Sequence, residues 1–385
     1  MKAAAAGEIG PRDRALGLAA AYACIVATTA SLGLSLPLLP LEIERAGYST
    51  VYNGLNGAAG ALALLLTAPF VPAIAARVGA IRLLVACFLL AAVSMAGFAL
   101  TPIPAWFPLR FCLNAALQGL FVVSEVWINT LATERTRGRL IGLYGALATA
   151  GFAAGPVIAA LFPTGSPAPF FLGAAVILAG LVPVAAARRL APVVEHASAR
   201  GLLAVIMFAP VPILAAFAHA GAETAATSFL PVFAVRSGWL EPSAILLITA
   251  FGLGNVLLQI PVGWMADRID RRTVLAGCAL IGCLGGIVLP LTVQTPWLLI
   301  LVSFLWGGAI IGMYTVGLTL VGQIFTGARL APASAAFAFA YAVGSILGPG
   351  GAGVSIDALG QSGLGWFVAL ICGLFAIAAL RARRA

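Results

Sequence analysis

Gly263-Trp264-Met265-Ala266-Asp267-Arg268-Ile269-Asp270-Arg271-Arg272 is a short charged stretch set between two long apolar runs. Moved forward by 191 residues, the end of an earlier apolar run, Phe70-Val71-Pro72-Ala73-Ile74-Ala75-Ala76-Arg77-Val78, falls on Pro261-Val262-Gly263-Trp264-Met265-Ala266-Asp267-Arg268-Ile269. The same offset pairs Pro40 with Pro231, and an offset of 193 pairs Gly155-Pro156 with Gly348-Pro349. Three matches in the same order point to a duplicated sequence.

Composition places the apolar runs in a membrane. Of 385 residues, 62% are hydrophobic and 9% charged, and the mean hydropathy is +1.10. A soluble domain carries about a quarter charged residues, and this much apolar side chain is tolerated only where lipid solvates the outer faces. The formal net charge of +9 comes from short Arg-bearing loops, without a basic domain, zinc spacing or aromatic-basic interleaving, so no nucleic-acid partner is expected. Cys24, Cys87, Cys112, Cys278, Cys283 and Cys372 all fall in apolar segments. They read as small hydrophobes, with no disulfide framework and no metal site. Lys2, Glu8, Arg12, Asp13 and Arg14 precede the first run, which is too long for a signal-peptide core and reads as a span.

A span needs about 20 residues to cross roughly 30 Å of hydrocarbon. That rule places helices near 15–38, 51–76, 81–100, 104–130, 139–162, 168–187, 203–234, 241–266, 272–292, 296–324, 331–356 and 361–380. The expected organisation is an N-terminal six-helix half, 1–187, a cytoplasmic linker, 188–200, and a C-terminal half, 201–385. With both termini inside, 18 of the 21 basic residues are cytoplasmic: Lys2, Arg12 and Arg14; Arg77 and Arg82; Arg135, Arg137 and Arg139; Arg188, Arg189 and Arg200; Arg268, Arg271 and Arg272; Arg329; and Arg381, Arg383 and Arg384. Arg45 and Arg236 fall outside, and Arg110 falls within a span. An odd number of spans would destroy this positive-inside alternation. Six is even, so the two copies run parallel.

The stretch 263–272 resembles the G-x-x-x-D-R-x-G-R-R signature that follows the second helix of a half in the major facilitator superfamily, with Asp270 in the place of a glycine. The first-half copy keeps Arg77 and Gly79 but lacks the acid and the basic pair. Gly151-Phe152-Ala153-Ala154-Gly155-Pro156 resembles the G-x-x-x-G-P core found in drug:proton antiporter branches, and Gly344-Ser345-Ile346-Leu347-Gly348-Pro349 repeats it. Glu125-Val126-Trp127, followed by Glu134-Arg135-Thr136-Arg137-Gly138-Arg139, is similar to YcaD-like transporters. The resemblance covers nearly the whole chain. It implies an all-α fold of twelve transmembrane helices in two six-helix repeats, and a transporter that is not an enzyme. It further implies a small-molecule substrate, no bound cofactor and function as a monomer.

Roles for individual residues follow. Gly263 would let helices approach, and Asp267 would pair with Arg268, Arg271, Arg272 or a neighbouring helix end to hold the cytoplasmic side closed; Arg77 is the first-half counterpart. A solvated positive-inside loop would explain the arginines but not Asp267. Gly151, Gly155 and Pro156, with Gly344, Gly348 and Pro349, suit bent and closely packed helices, as a hinge or seal between halves or as ordinary packing. Pro37, Pro40, Pro69, Pro231 and Pro261 are placed at or near helix ends, as breaks or bends.

A charge near mid-membrane has to face a cavity, find a partner or sit neutral. Glu223, in the middle of the seventh helix, has His219 one turn before it on the same face. A carboxyl group beside a titratable imidazole is a candidate proton carrier; the alternative is a hydrogen-bonded packing pair between the halves. Arg110 lies early in the fourth helix near its outer side, followed by Asn114 and Gln118. Glu125 is about 22 Å further along an ideal helix, where pairing with loop arginines and coupling are equally open. Asp357 reads as a solvated terminus. Trp127, Tyr144, Trp306, Tyr314 and Tyr341 are candidate cavity-lining aromatics, with Asn129, Asn255, Gln259 and Gln323 as further polar candidates. Trp106, Trp239, Trp297 and Trp366 suit interfacial anchors.

The G-x-G-x-x-G match at 348–353 lies in an apolar span with proline in second position, so it is no dinucleotide site, and no Walker sequence is present. Scarce basic residues along the route disfavour a strongly anionic substrate. The expectation is a secondary active transporter of the bacterial inner membrane, embedded in lipid and working by alternating access. It would use the proton gradient to export a small apolar, amphipathic or cationic solute. Proton-coupled uptake of a small metabolite, and a non-transporting membrane sensor or scaffold, are the alternatives.

Overall fold

Backbone amides in hydrocarbon find no water, so apolar runs of this length are driven to satisfy them as helices. In the computed structural model, which describes residues 10–133, 136–163, 165–190, 192, 208–325 and 330–381, every long element is α-helical. Lys2, Glu8, Glu134, Arg135, Arg200, Arg329, Arg383 and Arg384 lie outside the described residues, as do residues 191 and 193–200 of the expected linker and 203–207 of the seventh expected helix. The helices are α1 (Pro11–Arg45), α2 (Thr50–Thr67), α3 (Val71–Val78), α4 (Ala80–Leu100), α5 (Trp106–Leu131), α6 (Arg137–Ala160) and α7 (Ala168–Ala186). They continue with α8 (Pro210–Arg236), α9 (Glu241–Arg268), α10 (Arg271–Thr292), α11 (Pro296–Ile324), α12 (Leu330–Leu359) and α13 (Gly363–Arg381).

By length and composition, nine segments of the described residues are candidate membrane spans, or ten with the bent pair α2–α3 taken as one. The helices α12 and α13 enter that count within one apolar segment, Pro332–Arg381, and α8 is not in it. The chain is an all-α polytopic membrane protein.

Proline placement differs from expectation. Pro37 and Pro40 lie inside α1, Pro231 inside α8 and Pro261 inside α9. Such residues are tolerated in membrane helices because neighbouring groups re-satisfy the freed backbone. Side chains of other helices reach this stretch of backbone: the carbonyl of Pro40 accepts a 3.0 Å bond from Asn53 Nδ2 of α2. Pro69 alone of the five sits at a break: α2 and α3 meet there at 57°, with Pro72 in the first turn of α3.

The helices sort into two compact units, Met1–Ser35 with Ala59–Ala197, and Leu36–Ala58 with Ser198–Ala385. In the first, α6 lies directly on α1. A Cβ on Gly155 would strike the backbone of Gly33 and Leu34, and one on Gly151 would strike Thr29 Oγ1. The second unit repeats the device between α12 and α8: a Cβ on Gly348 would strike the Gly221 carbonyl and Thr224, and one on Gly344 the Phe217 carbonyl. Below this contact Ile213 and Ala216 of α8, Val321 of α11 and Ala336, Phe337 and Ala340 of α12 form a buried apolar cluster.

The second unit also contains the tip of the α1–α2 hairpin. Gly54 and Gly57 of α2 pack on Pro349 of α12. Asp357 is exposed near the end of α12, as expected, and it also caps α2: it accepts from the Thr50 and Val51 amides at 3.2 and 3.3 Å and from the Thr50 hydroxyl. Ser49 Oγ takes the Tyr52 amide, so three otherwise orphaned first-turn donors are satisfied. Arg45 donates to both carboxylate oxygens of Glu241 at 2.6 and 2.5 Å and to Glu42 at 2.7 Å, while Arg236 donates to Glu44 at 2.5 Å. The two arginines that break the positive-inside pattern are each held by carboxylates.

The glycine contacts set a stability test. Gly155→Ala and Gly348→Ala should each lower the melting temperature of the purified protein, by an overpacking cost of about 1–3 kcal/mol. A Cβ at Gly142 of α6 or Gly350 of α12 meets nothing within 4 Å, so alanine there should leave melting unchanged or raise it. Equal melting of all four variants would refute the close approach.

Candidate functional site

The α-helical repeat puts residues four apart on one face, and in α8 this brings His219 and Glu223 together. His219 Nε2 lies 3.2 Å from Glu223 Oε2. Three further helices converge on the pair. From α11, the Ile310 carbonyl accepts from His219 Nδ1 at 2.9 Å. A carbonyl only accepts, so Nδ1 carries the hydrogen and Nε2 is left facing the carboxyl group. From α9, Asn255 Nδ2 donates to Glu223 Oε1 at 3.1 Å, and from α12 the Tyr341 hydroxyl reaches Oε2 at 3.4 Å. Tyr314 of α11 closes the aromatic wall, its ring 5.2 Å from that of His219 and 5.9 Å from that of Tyr341. The His219 side chain is 2% exposed and that of Glu223 21%. One oxygen-bearing edge of the cluster is therefore reachable while its imidazole is sealed.

Two of the expected members take other places. Trp306 is buried, donating Nε1 to the Gly282 carbonyl at 2.9 Å and packing edge-on against Phe251. It is a packing residue and not a lining one, because its hydrogen bond points it into the α10–α11 contact. Trp127 is likewise fully buried. Asn255, in sequence one of several polar candidates, is a direct partner of Glu223. An amide in mid-span is the signal that could have promoted it, since hydrocarbon demands a partner for it. The Ile310 carbonyl has no sequence signal, because every residue carries one.

The first unit carries a separate polar face on α5. Arg110 is buried, and Asn114 Nδ2 donates to its carbonyl at 2.9 Å. Gly60 of α2 lies where a Cβ would touch Asn114. Gln118 is half-buried two turns after Arg110. Further along, Glu125 is exposed and lines an open hollow of about 430 Å³ with Val122, Val126, Asn129 and Thr130. Among the described residues Glu125 has no ion pair. Tyr144 of α6 is hydrogen-bonded to Ser124 at 2.9 Å.

In the last turn of α9, Asp267 is 75% exposed and lies 3.5 Å from Arg271 at the start of the next helix. An ion pair this long and this wet is worth little. Arg271 also donates to the Ala266 carbonyl at 3.3 Å, and the Arg268 guanidinium sits 3.9 Å from the centre of the Trp264 ring. Asp270, the departure from the glycine of the signature, is the N-cap of α10 and accepts from the Thr273 amide at 3.0 Å. Arg272 is half-buried in the first turn of α10, and Arg77 is exposed on α3. A Cβ on Gly263 would meet nothing within 4 Å, so this conformation does not need a glycine there for helix approach.

Comparison with known proteins agrees with the geometry. The sequence profile of the Major Facilitator Superfamily matches residues 21–240 and 212–385. The chain is 26% identical over 347 residues to the uncharacterized MFS-type transporter YfkF of Bacillus subtilis strain 168, covering 88% of each chain. It is 24% identical over 249 residues to the uncharacterized MFS-type transporter YcaD of Escherichia coli, covering 63% of each. Its fold superposes on the crystal structure of the nucleoside transporter NupG with a TM-score of 0.78 at 14% identity, over 96% of this chain and 99% of that one. A bacterial homolog of the human lysosomal transporter Spinster, in an inward-facing and unoccupied conformation, gives 0.77 at 14% identity over 96% of each. A family match that runs along nearly the whole chain, on a fold shared with solved transporters, means that the chain belongs to the Major Facilitator Superfamily and is a secondary transporter, not an enzyme.

Proposed function

We propose that the chain exports a small apolar, amphipathic or cationic solute in exchange for protons, with its energy drawn from the proton gradient across a bacterial inner membrane. Twelve spans in two parallel six-helix repeats, with both termini cytoplasmic, are part of the reading. Its support is the arginine alternation, the twelve helices of 18 residues or more among the described residues, and the matched glycine contacts Gly33–Gly155 and Gly221–Gly348. Transport by alternating access follows from rocking such halves around a central site.

The observation that carries proton coupling is the Glu223 cluster: a carboxyl group in mid-helix, held by His219, Asn255 and Tyr341 and still partly reachable. A titratable pair placed at this depth is costly without a use. The exposed carboxylate of Glu125 on α5 suits a positively charged or amphipathic solute better than an anion. On this orientation the ion pairs of Arg45 and Arg236 and the Asp357 cap lie at the outer side, where we propose that they serve as an outer gate.

Two experiments test these claims. In proteoliposomes with imposed pH gradients of both signs, a cationic dye such as ethidium should move outward with the gradient, and Glu223→Gln should reduce that flux to background without lowering the melting temperature. Gradient-driven flux that survives in Glu223→Gln would show that the carrier is elsewhere. Outer closure is read with Ser228→Cys, a buried position 3.7 Å from where a Gly57 Cβ would stand. Its thiol should react slowly with an impermeant maleimide added outside, and severalfold faster once Arg45→Ala and Glu241→Ala are added. A reaction rate indifferent to those changes removes the ion pairs from the gate.

A further inference from the structure

The hydrogen bond on the far side of the imidazole decides how many protons the cluster can hold. His219 Nδ1 is committed to the Ile310 carbonyl at 2.9 Å and must carry a hydrogen in every state in which that bond persists. Only the space between Nε2 and Glu223 Oε2, 3.2 Å wide, is left for a transferable proton. With one proton there, the pair is either imidazolium and carboxylate or imidazole and carboxylic acid. Both forms are hydrogen-bonded and both have zero net charge. Removing that proton leaves two lone pairs facing each other and a net charge of −1. The other neighbours of the carboxyl group, Asn255 Nδ2 and the Tyr341 hydroxyl, are neutral donors that do not compensate it.

The rest of the surroundings leave the count unchanged. The helices α9, α11, α12 and α13 pack against α8, and the α1–α2 tip, residues 36–58, touches it at Arg236 and Ser228. Among their described residues the ionisable groups are Tyr314 and Tyr341 of the cluster, Glu42, Glu44, Arg45, Tyr48 and Tyr52 of the tip, Glu241, Asp267 and Arg268 at the two ends of α9, Asp357 near the end of α12, and Cys372 and Arg381 of α13. Glu44 is taken by Arg236 and Glu42 by Arg45. Cys372 faces α10, where a Cβ on Gly282 would touch its sulfur. Asp357 is occupied with the α2 amides and Glu241 with Arg45. No further charge of the described α8 neighbours is placed to neutralise an emptied His219–Glu223 pair.

We infer that His219 and Glu223 form a single one-proton site, and that the solute exchanged for this proton is a monovalent organic cation. The inference rests on the proton-coupled export reading above and narrows it. When one H⁺ leaves the Nε2–Oε2 gap as one monocation arrives, the net charge of the occupied site stays at zero in both half-cycles, and neither half-cycle carries an uncompensated charge through low dielectric. The exchange is one for one and electroneutral. His219 is a positioning residue in this scheme: its Nδ1 bond to Ile310 aims Nε2 at the carboxyl group and leaves Nε2 as the one ring nitrogen that gains or loses the shared proton.

The test starts with the purified protein and no solute. Infrared difference spectra across a pH titration should show the Glu223 carboxyl bands, identified by their loss in Glu223→Gln, and the imidazole bands changing together in one step. His219→Gln, which keeps a donor but cannot titrate, should displace the carboxyl step. Binding of tetraphenylphosphonium or ethidium should then release one proton per cation in weakly buffered solution, and none in Glu223→Gln. In proteoliposomes at fixed pH gradient, efflux of the same cation should be unchanged by a potassium–valinomycin potential. Separate titration steps, a carboxyl step unmoved in His219→Gln, no proton release with either cation, two protons released per cation, or a potential-dependent flux would each overturn the inference. The two readings fail separately: a gradient-driven flux abolished by Glu223→Gln but accelerated by potential leaves proton-coupled export standing and removes the one-for-one exchange. A shared titration step in a protein that shows no gradient-driven flux leaves the one-proton site standing but overturns the export reading and the exchange that rests on it.

Discussion

Hydrocarbon supplies no hydrogen bonds and little screening, and the arrangement of this chain follows from what each polar group does about that. The backbone answers by forming helices. The side chains answer one by one. Asn53 finds the carbonyl of Pro40, Trp306 the carbonyl of Gly282, and Asn255 the carboxyl group of Glu223. Arg45 and Arg236, the two arginines that stand against the positive-inside pattern, are matched by Glu241, Glu42 and Glu44. Arg45 spreads its two terminal nitrogens over Glu42 and Glu241 at 2.5–2.7 Å, short charge-assisted contacts, whereas Asp267 approaches Arg271 only to 3.5 Å, an exposed contact of small worth.

The two Gly-Pro stretches that match in sequence also make matching helix contacts. Gly33 meets Gly155 in one copy and Gly221 meets Gly348 in the other, each at the point where a helix carrying a Gly-Pro pair lies on the first helix of its half. Without side chains between them the backbones come close enough for dispersion to replace the hydrophobic effect, which does not act between helices in lipid. The copies have diverged in their loops. The second has an acid, a basic pair and an N-cap at Asp270, while the first keeps Arg77 on a short helix after a 57° break. A repeated scaffold with unequal loops and unequal charges is what lets one half hold the titratable pair and the other present an open acidic face at Glu125.

Helix boundaries read from apolar runs fall within a few residues of those observed for most elements, since the length that crosses hydrocarbon is set by its thickness. The His219–Glu223 pair is equally legible in the sequence, because four residues along a helix is always the same face. The expectations that fail share one cause. Trp306 is expected at a cavity yet points into a helix contact, and Asp357, exposed as expected, also caps a helix start 307 positions earlier in the chain, which no local pattern announces. Proline positions near apolar run ends suggest breaks, but only Pro69 makes one, as neighbouring groups decide whether a freed carbonyl is tolerated.

By itself the sequence determined membrane residence, helical class and the pairing of groups within a single helix. These depend on composition and on periodicities of a few residues, which act locally. Tertiary structure alone decided the tautomer of His219, through the carbonyl of Ile310; the second partner of Glu223, through Asn255 of another helix; and the capping of α2 by Asp357. Those contacts join residues from about 30 to more than 300 positions apart, and every backbone carbonyl looks alike in a sequence. Only the packing of the helices selects which one an imidazole will find.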